Sequence, residues 1–545
     1  MSTRSRRRPV LIVVHQLGYG GVTQAVLDQS AMFDEAGHPT TILTLAPDLD
    51  LARLDALRAS GRLRPGVSVR NVHLDHERAW EGLPPAGDPT GAHALRVSPD
   101  VLVEHGSDAT SPYERWFDPY GGYLAYARVR ADGTLKALVR MRHRETASHE
   151  RFDEPGRVVR AIEVGPAGHK TREIFFSPGG HVYAIRLADP ATGAGRGVAV
   201  SVPGPDGRTT STRFAGLPQW HVAWLRSVLD ELEAPIAIAE TPTTIPKLAR
   251  ARRGRDETVV GMLHNNQFDA PFTVGSPLRH DHLAVFETLE KLDGLVVLTE
   301  AQRRDVVALG APADRVHVVP NTTARIDRTP SAADKDGRLV SVVSRLAPQK
   351  ALHEAIRAFA AVVAEVPDAR LEIYGRGPSS QELSELVTEL GLDGSVALLG
   401  RTSDPHGVMA RSMCMLSTSD WEAMPLSILE SAAAGTPVVA YDCLYGPAAL
   451  ITDGVDGRLV HQVAVPWHWG YAGLSRGDAA NDVLHISGDP NVNIETTKAL
   501  TCDVRAGRRP TPATSRVTGA PHRAAAVDRD HPAERTTPGG PEATA

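Results

Sequence analysis

The stretch Ser419-Asp420-Trp421-Glu422-Ala423-Met424-Pro425-Leu426-Ser427-Ile428-Leu429-Glu430 decides the fold. Its two glutamates, Glu422 and Glu430, stand eight positions apart with a helix start between them. Pro425 suits the first helical position, where its missing N–H costs nothing. Leu426, Leu429 and Ala433 then fall on one apolar face, and Gly435 ends the helix. Glu422 is thereby placed in the loop before the helix and Glu430 on its second turn. Free backbone N–H groups near Leu426 and Ser427 make an electropositive anion site. A phosphate fits there while the two carboxylates accept hydrogen bonds from sugar hydroxyls on either side. Taken alone, the pair reads as two solvated glutamates on a surface helix. The flanks change this, because an apolar strand, Met413 to Leu416, precedes the motif and a second, Pro437 to Tyr441, follows it. Strand, loop, helix and strand place the loop at the carboxyl end of a strand, where open α/β sheets bind ligands.

Outward from this stretch, Glu-x7-Glu followed by Gly435-Thr436-Pro437-Val438-Val439-Ala440 resembles the donor motif of retaining glycosyltransferases with two Rossmann-like domains, the GT-B type. Tyr441-Asp442-Cys443-Leu444-Tyr445-Gly446-Pro447 resembles a narrower group, the poly(glycerol-phosphate) α-glucosyltransferases and related wall-teichoic-acid glycosyltransferases. The resemblance runs from about Val10 to Val460, and Ala423 stands where the family often has Gly. It implies an α/β fold of two Rossmann-like domains.

The chain has 545 residues, enough for more than one domain, and its 42% hydrophobic content is ordinary for sizeable cores. A net charge of −6 gives no basic field for nucleic acid. Cys414, Cys443 and Cys502 are widely spaced and read as reduced thiols of a cytoplasmic protein. The basic run Arg4 to Arg8 offers contact with the inner face of a membrane, or is simply a solvated end. No stretch has transmembrane length.

From the amino end, Pro9 to Leu17 reads as a buried strand leading into Gly18-Tyr19-Gly20-Gly21 and a helix through Phe33. The glycines let the backbone approach a ligand at a helix start. Thr40 to Leu45 and Val67 to Leu74 read as further strands, Leu51 to Ser60 as a helix, and Asp75 to Pro99 as a loop. Asp48-Leu49-Asp50 looks superficially like a metal-binding Asp-x-Asp and reads as solvated. From about Val101 the pattern turns antiparallel, with a hairpin joined by Ala131-Asp132-Gly133 and further strands up to Val202. A similar insertion in the teichoic-acid group it resembles serves subunit association and acceptor handling, and the resemblance implies the same here; otherwise it is a folded decoration. The α/β pattern then resumes, and Thr258 to Leu263 ends in His264. His280 and His282 are weaker candidates. The strand Arg338 to Ser344 runs into Arg345, with Lys350 five residues on; two cations at a strand end can hold a diphosphate, one as a fork and one as a point charge.

The domain boundaries expected are 1–100 and 216–325 for the first, acceptor-side domain, 101–215 for the insertion, and 326–460 for the nucleotide-sugar domain. The resemblance implies donor-binding roles for Gly20, Gly21, Arg345, Lys350, Arg401, Glu422, Pro425, Leu426, Ser427 and Glu430. It implies catalytic roles for Glu422, His264, Arg345 and Lys350, with no metal and no cofactor beyond the UDP-sugar itself. The implied reaction moves glucose or N-acetylglucosamine to a polyol-phosphate acceptor, with no nucleic-acid partner. Homo-oligomerisation through the insertion is a further expectation.

After Val460 the resemblance breaks off, where the family continues with further helices, so a truncated second domain is expected. Residues 461–510 resemble instead the carboxyl end of molybdopterin-dependent formate dehydrogenase large chains, on Gly477 to Asp482, Asp489 to Val492 and Ala499 to Arg505. The iron–sulfur cysteine pattern of that enzyme is absent from the sequence. Residues 511–545, rich in Pro, Ala, Thr and Arg, read as disordered. The alternative function is therefore an impaired chimera that only self-associates or binds anionic polymer.

Overall fold

A computed structural model describes residues 7–461 apart from 109–110, 144, 207, 255 and 324–334. The formate-dehydrogenase-like and Pro/Ala-rich segments thus lie outside the described residues, save His461. The first domain begins with β1 (Val10–Val14), β2 (Thr40–Thr44) and β3 (Val67–Asn71). Ten strands, β4 to β13, follow between Leu102 and Phe214. The domain then returns with β14 (Ile236–Ala239), β15 (Thr258–Met262), β16 (Gly294–Val297) and β17 (Val316–Val318). Its seven-stranded sheet has the order β17-β16-β15-β14-β1-β2-β3, parallel throughout. The winding reverses between β1 and β14, which opens a crevice beyond their carboxyl ends.

Every residue of β1 is buried, because helices cover both faces. Val10, Ile12 and Val14 pack with Val26 and Leu27 of the helix Gly21–Glu35. Leu11 and Val13 pack with Trp220 and Leu225 of the helix Leu217–Asp230. The strand read as Val67 to Leu74 stops at Asn71. The Asn71 side chain accepts hydrogen bonds from the N–H groups of His73 (2.9 Å) and Leu74 (3.2 Å) and so starts a helix, Val72–Arg78. The segment read as a loop from Asp75 to Pro99 carries the end of that helix and a short one, Ala92–Arg96.

The strands β4 to β13 form one ten-stranded antiparallel sheet in simple meander order. Buried carboxylates on it are each met by arginine: Arg96 reaches Glu114 at 2.5 Å, Arg140 reaches Glu150 at 2.6 Å, and Arg160 pairs with Glu173. The sheet packs on the first domain through Phe175, Tyr183 and Val198, in one core with Val72 and Trp220; at its edge Asp48 accepts from Arg160 at 3.0 Å, and Asp50 caps the helix Leu51–Ala59. The Asp48-Leu49-Asp50 loop is therefore structural, not simply solvated. Arg8 is likewise engaged: its guanidinium donates to the Ala234 carbonyl (2.6 Å) and Thr258 hydroxyl (2.8 Å), which ties the chain's start to β14 and β15.

The second domain is a six-stranded parallel sheet of β18 (Asp336–Val343), β19 (Arg370–Tyr374), β20 (Val396–Gly400), β21 (Ser412–Ser417), β22 (Val438–Tyr441) and β23 (Gly457–Val460). Its order is β20-β19-β18-β21-β22-β23, so its reversal lies between β18 and β21. Among the described residues no helix is long and apolar enough to cross a membrane.

Candidate active site

The loops after β18 and β21 leave that reversal side by side, and hydrogen bonds stitch them together. The Asp420 N–H donates to the Gln349 carbonyl (2.9 Å), and the Gln349 amide donates to the Trp421 carbonyl (2.8 Å). Thr418 Oγ1 donates to the Lys350 carbonyl (2.9 Å). Arg345 donates to Gln349 Oε1 at 3.0 Å, so its guanidinium is anchored to the same turn. These ties bring Lys350 Nζ onto the carboxylate of Glu422. Both side chains are largely buried, at 15% and 9% exposed, so the pair is screened little by water. Lys350, Ser344 and Ser427 line one small pocket at this point.

The helix Leu426–Ala433 starts at Pro425, whose extended backbone (φ −71°, ψ 120°) makes it the capping residue and not the first helical one. No side chain caps this start. The apolar face also differs from the periodic reading. Ile428 packs into the second domain's own core with Met415 and Val438. Leu429 turns the other way and joins Met262 and Leu298 of the first domain. Leu426 also faces that domain: a Cβ placed on Gly21 would meet its Cδ1 at 3.3 Å. The helix is thus buried on two sides, and Gly21 is small because the helix start approaches it. Gly435, with φ +65°, ends the helix as read.

Glu430 stands on the second turn, near Arg62 and Asp28 of the first domain. Burial raises its pKa above the ordinary carboxylate value, Arg62 opposes the rise and Asp28 adds to it. Cys443 is buried and in no disulfide among the described residues, and burial next to Glu422 pushes its thiol up. Gly446 is packed so closely that an added Cβ would lie 2.7 Å from the Ala423 carbonyl oxygen, so this glycine lets the following helix close over the Glu422 loop.

Several contacts hold the two domains face to face. Tyr445 accepts from the Gln267 amide (2.6 Å) and donates to Asp305 (2.9 Å). Phe272 stacks on Trp421 at 4.0 Å between ring centroids. Tyr19, in the glycine-rich turn, lies between two guanidinium groups: Arg53 at 3.5 Å and Arg401 at 3.6 Å from its ring centre. Arg401 therefore meets the turn that carries Gly20 and Gly21.

His264 follows β15, and its Nε2 lies 2.5 Å from Glu240 Oε2. Glu240, fully buried at the end of β14, was not singled out from the sequence. Its Oε1 is buried without a partner among the described residues. No motif marks it; the one signal is a carboxylate directly after an apolar strand. No hydrogen bond joins His264 to Glu422 or Lys350 among the described residues. His282 is a helix residue bonded to Asp281 at 2.8 Å, outside this arrangement. Arg345, Lys350, Glu422 and the helix start bearing Ser427 come together; Gly21 meets Leu426; His264 is grouped with Glu240. Among the described residues no three His, Cys, Asp or Glu side chains gather as metal ligands.

Comparison with known proteins follows the same division. Residues 324–465 match the family model of the glycosyl transferases group 1. The poly(ribitol-phosphate) alpha-N-acetylglucosaminyltransferase of Staphylococcus aureus is 23% identical over 464 residues, which cover 83% of this chain and 89% of that one. The poly(glycerol-phosphate) alpha-glucosyltransferase of Bacillus subtilis is 31% identical over 179 residues, 33% of this chain and 27% of that one. An exopolysaccharide phosphotransferase of Streptomyces coelicolor is 41% identical over 171 residues, 31% of this chain but only 18% of its own length. The chain therefore spans about a quarter or less of two of these relatives and most of the third. Among solved structures, a mutant of S. aureus TarM in complex with fondaparinux, alpha-GlcNAc-glycerol and UDP superposes with a TM-score of 0.71 at 20% identity, over 92% of this chain and 96% of that one. That likeness is one of fold. The chain has the GT-B fold, and its second domain is similar to the glycosyl transferases of group 1.

Proposed function

We propose that the chain is a retaining hexosyltransferase that moves glucose or N-acetylglucosamine from a UDP-sugar to a polyol-phosphate acceptor of the teichoic-acid kind. The observation that carries the reading is the buried Lys350–Glu422 pair beside an uncapped helix start, facing the Gly20–Gly21 turn of the other domain. The names of the S. aureus and B. subtilis relatives support the acceptor class. In this reading residues 1–100 and 216–325 form the acceptor-side domain, 101–215 the insertion and 326–460 the donor domain.

Arg345, Lys350 and the N–H groups of Leu426 and Ser427 take the diphosphate, where negative charge grows as the sugar leaves. Pro425 shapes that start, Gly20 and Gly21 close over it, and Arg401 borders the base. Glu422 holds Lys350 from one side and turns to the sugar from the other. Glu430 accepts from the ribose hydroxyls, and His264, held by Glu240, contacts the donor sugar. The acceptor hydroxyl attacks on the face that UDP leaves. Its oxygen bonds to the anomeric carbon, the bond to the phosphate oxygen breaks, and the proton passes to that phosphate oxygen. The reading needs no resident cofactor. The buried thiols Cys414 and Cys443 suit a cytoplasmic setting.

Glu430→Gln separates affinity from stability. Burial disfavours the charged carboxylate, so its contribution to stability is present at acid pH and is lost as pH rises through its raised folded value. At neutral pH the Gln variant should melt higher than wild type, and the difference should vanish at acid pH. Calorimetric titration should show UDP binding about tenfold weaker, because a charged acceptor for ribose hydroxyls is gone. Unchanged UDP affinity in the folded variant would remove Glu430 from the donor site.

A further inference from the structure

The loop that carries the chain on from His264 crosses to the second domain. Its stem is closed by backbone pairing: Phe268 bridges Leu278 in antiparallel sense, and the Arg279 N–H donates to the Gln267 carbonyl (2.9 Å). The Gln302 amide donates to the Asn265 carbonyl at 2.9 Å and fixes the start of the loop. From Asp269 to Gly275 every residue except Phe272 is exposed. Phe272 turns back instead, and its ring stacks on Trp421 with 4.0 Å between centroids and 28° between planes. The Arg279 guanidinium lies 5.5 Å from the centre of the same indole ring.

Phe272 is held there against its backbone preference. Its φ is +66°, a region that bulky side chains avoid and that a turn made only to reverse the chain would give to glycine. Two hydrogen bonds impose it. The Phe272 N–H donates to the Asp269 carbonyl (2.7 Å), and the Phe272 carbonyl accepts from the Asn266 amide (2.8 Å). Asn266 is fully buried and stands two residues after His264. Trp421 is divided between the domains. Its carbonyl accepts from Gln349, in the turn that presents Lys350, at 2.8 Å. Its indole N–H is buried without a hydrogen-bond partner among the described residues, so stacking and not hydrogen bonding sets the ring. Glu422, paired with Lys350, follows directly.

We propose that Phe272 and Trp421 are positioning residues, whose stack sets His264 of the first domain against Glu422 of the second, around the hexose of the nucleotide sugar. The inference rests on the function proposed above. At one end of the line His264 is held by Glu240; at the other Glu422 is held by Lys350. A backbone held in a disfavoured conformation, with its side chain laid on the neighbour of a site residue, is strain placed where geometry matters. In the proposed site Arg345, Lys350 and Glu430 of the second domain grip UDP, whereas the sugar needs groups from both domains. Loss of the stack should therefore loosen the sugar and not the nucleotide. Tyr445, bound to Gln267 and Asp305, still joins the domains when the stack is gone.

The test compares the full chain as wild type, Phe272→Gly, Trp421→Leu, Phe272→Tyr and Trp421→Phe. Glycine suits the positive φ, so Phe272→Gly removes the ring without straining the backbone. Calorimetry reads the affinity for UDP and for UDP-glucose or UDP-N-acetylglucosamine, turnover with poly(glycerol phosphate) gives kcat, and melting curves report folding. Phe272→Gly and Trp421→Leu should bind UDP as wild type does, bind the UDP-sugar about tenfold more weakly, and lose on the order of 10–100-fold in kcat. Phe272→Tyr and Trp421→Phe keep two stacked rings and should recover most of both losses. Wild-type sugar affinity and kcat in Phe272→Gly and Trp421→Leu would overturn the proposal. Equal losses in all four variants, following the melting temperature, would overturn it too, because packing alone gives that pattern. A wild type that binds no UDP-sugar would overturn the transferase reading and this inference with it; that failure lies in wild type, whereas failure of the inference alone shows only in the variants.

Discussion

Lys350→Met is expected to lower turnover by about 10²–10³-fold, the cost of removing one preorganised donor at a developing oxyanion. It should also destabilise the fold by about 3–5 kcal/mol, because Glu422 would remain buried without its counter-charge. The two effects come apart in the double variant Lys350→Met with Glu422→Leu. Replacing both members of a buried pair by apolar groups is often neutral. Thermal stability should therefore recover in the double variant while turnover does not. If turnover recovered with stability, Lys350 would be a structural cation and the diphosphate would have to be held elsewhere.

Glu240→Gln is the second large effect. The buried carboxylate fixes the His264 ring at 2.5 Å, and its other oxygen has no partner among the described residues. The amide keeps the volume but supplies no charge, and it lets the ring choose another tautomer. Loss of such an orienting carboxylate costs roughly 10–100-fold around metal-bound histidines and more in a Ser-His-Asp triad. A drop of about 10–100-fold in kcat is expected here, with the UDP-sugar KM changed less. Glu240→Asp should recover part of it, since a shorter carboxylate still accepts from the ring. A role in packing alone would give the opposite pattern: equal effects of Gln and Asp, seen in the melting temperature and not in kcat.

The helix bearing Glu430 was legible because its signals are local. Apolar strands flank it, Pro425 precedes it and Gly435 ends it. Which way its leucines point was not legible. Leu426 and Leu429 follow helical periodicity, but periodicity does not say that two different domains cover the two sides of one helix. The pairing of Lys350 with Glu422 joins residues 72 positions apart and was not legible; the family motif assigned both to the donor site but not to each other. Glu240 had no motif at all. In the insertion, strands Leu102–Ser107 and Thr209–Phe214 escaped because they are exposed on both faces over much of their length, which erases the alternation a half-buried strand shows. The helix start at Val72 was hidden because Val72 and Leu74 continue the spaced apolar residues Val67 and Val69, and the capping role of Asn71 was the signal that marked it.

The central claim is hexosyl transfer with retention from a UDP-sugar to a polyol phosphate. The most direct measurement incubates the full chain with UDP-glucose or UDP-N-acetylglucosamine and poly(glycerol phosphate), and reads the anomeric proton coupling of the product by NMR. The account predicts release of UDP and an α-linked sugar on the polymer. A β-linked product, or UDP binding with no transfer to any polyol-phosphate polymer, would contradict it.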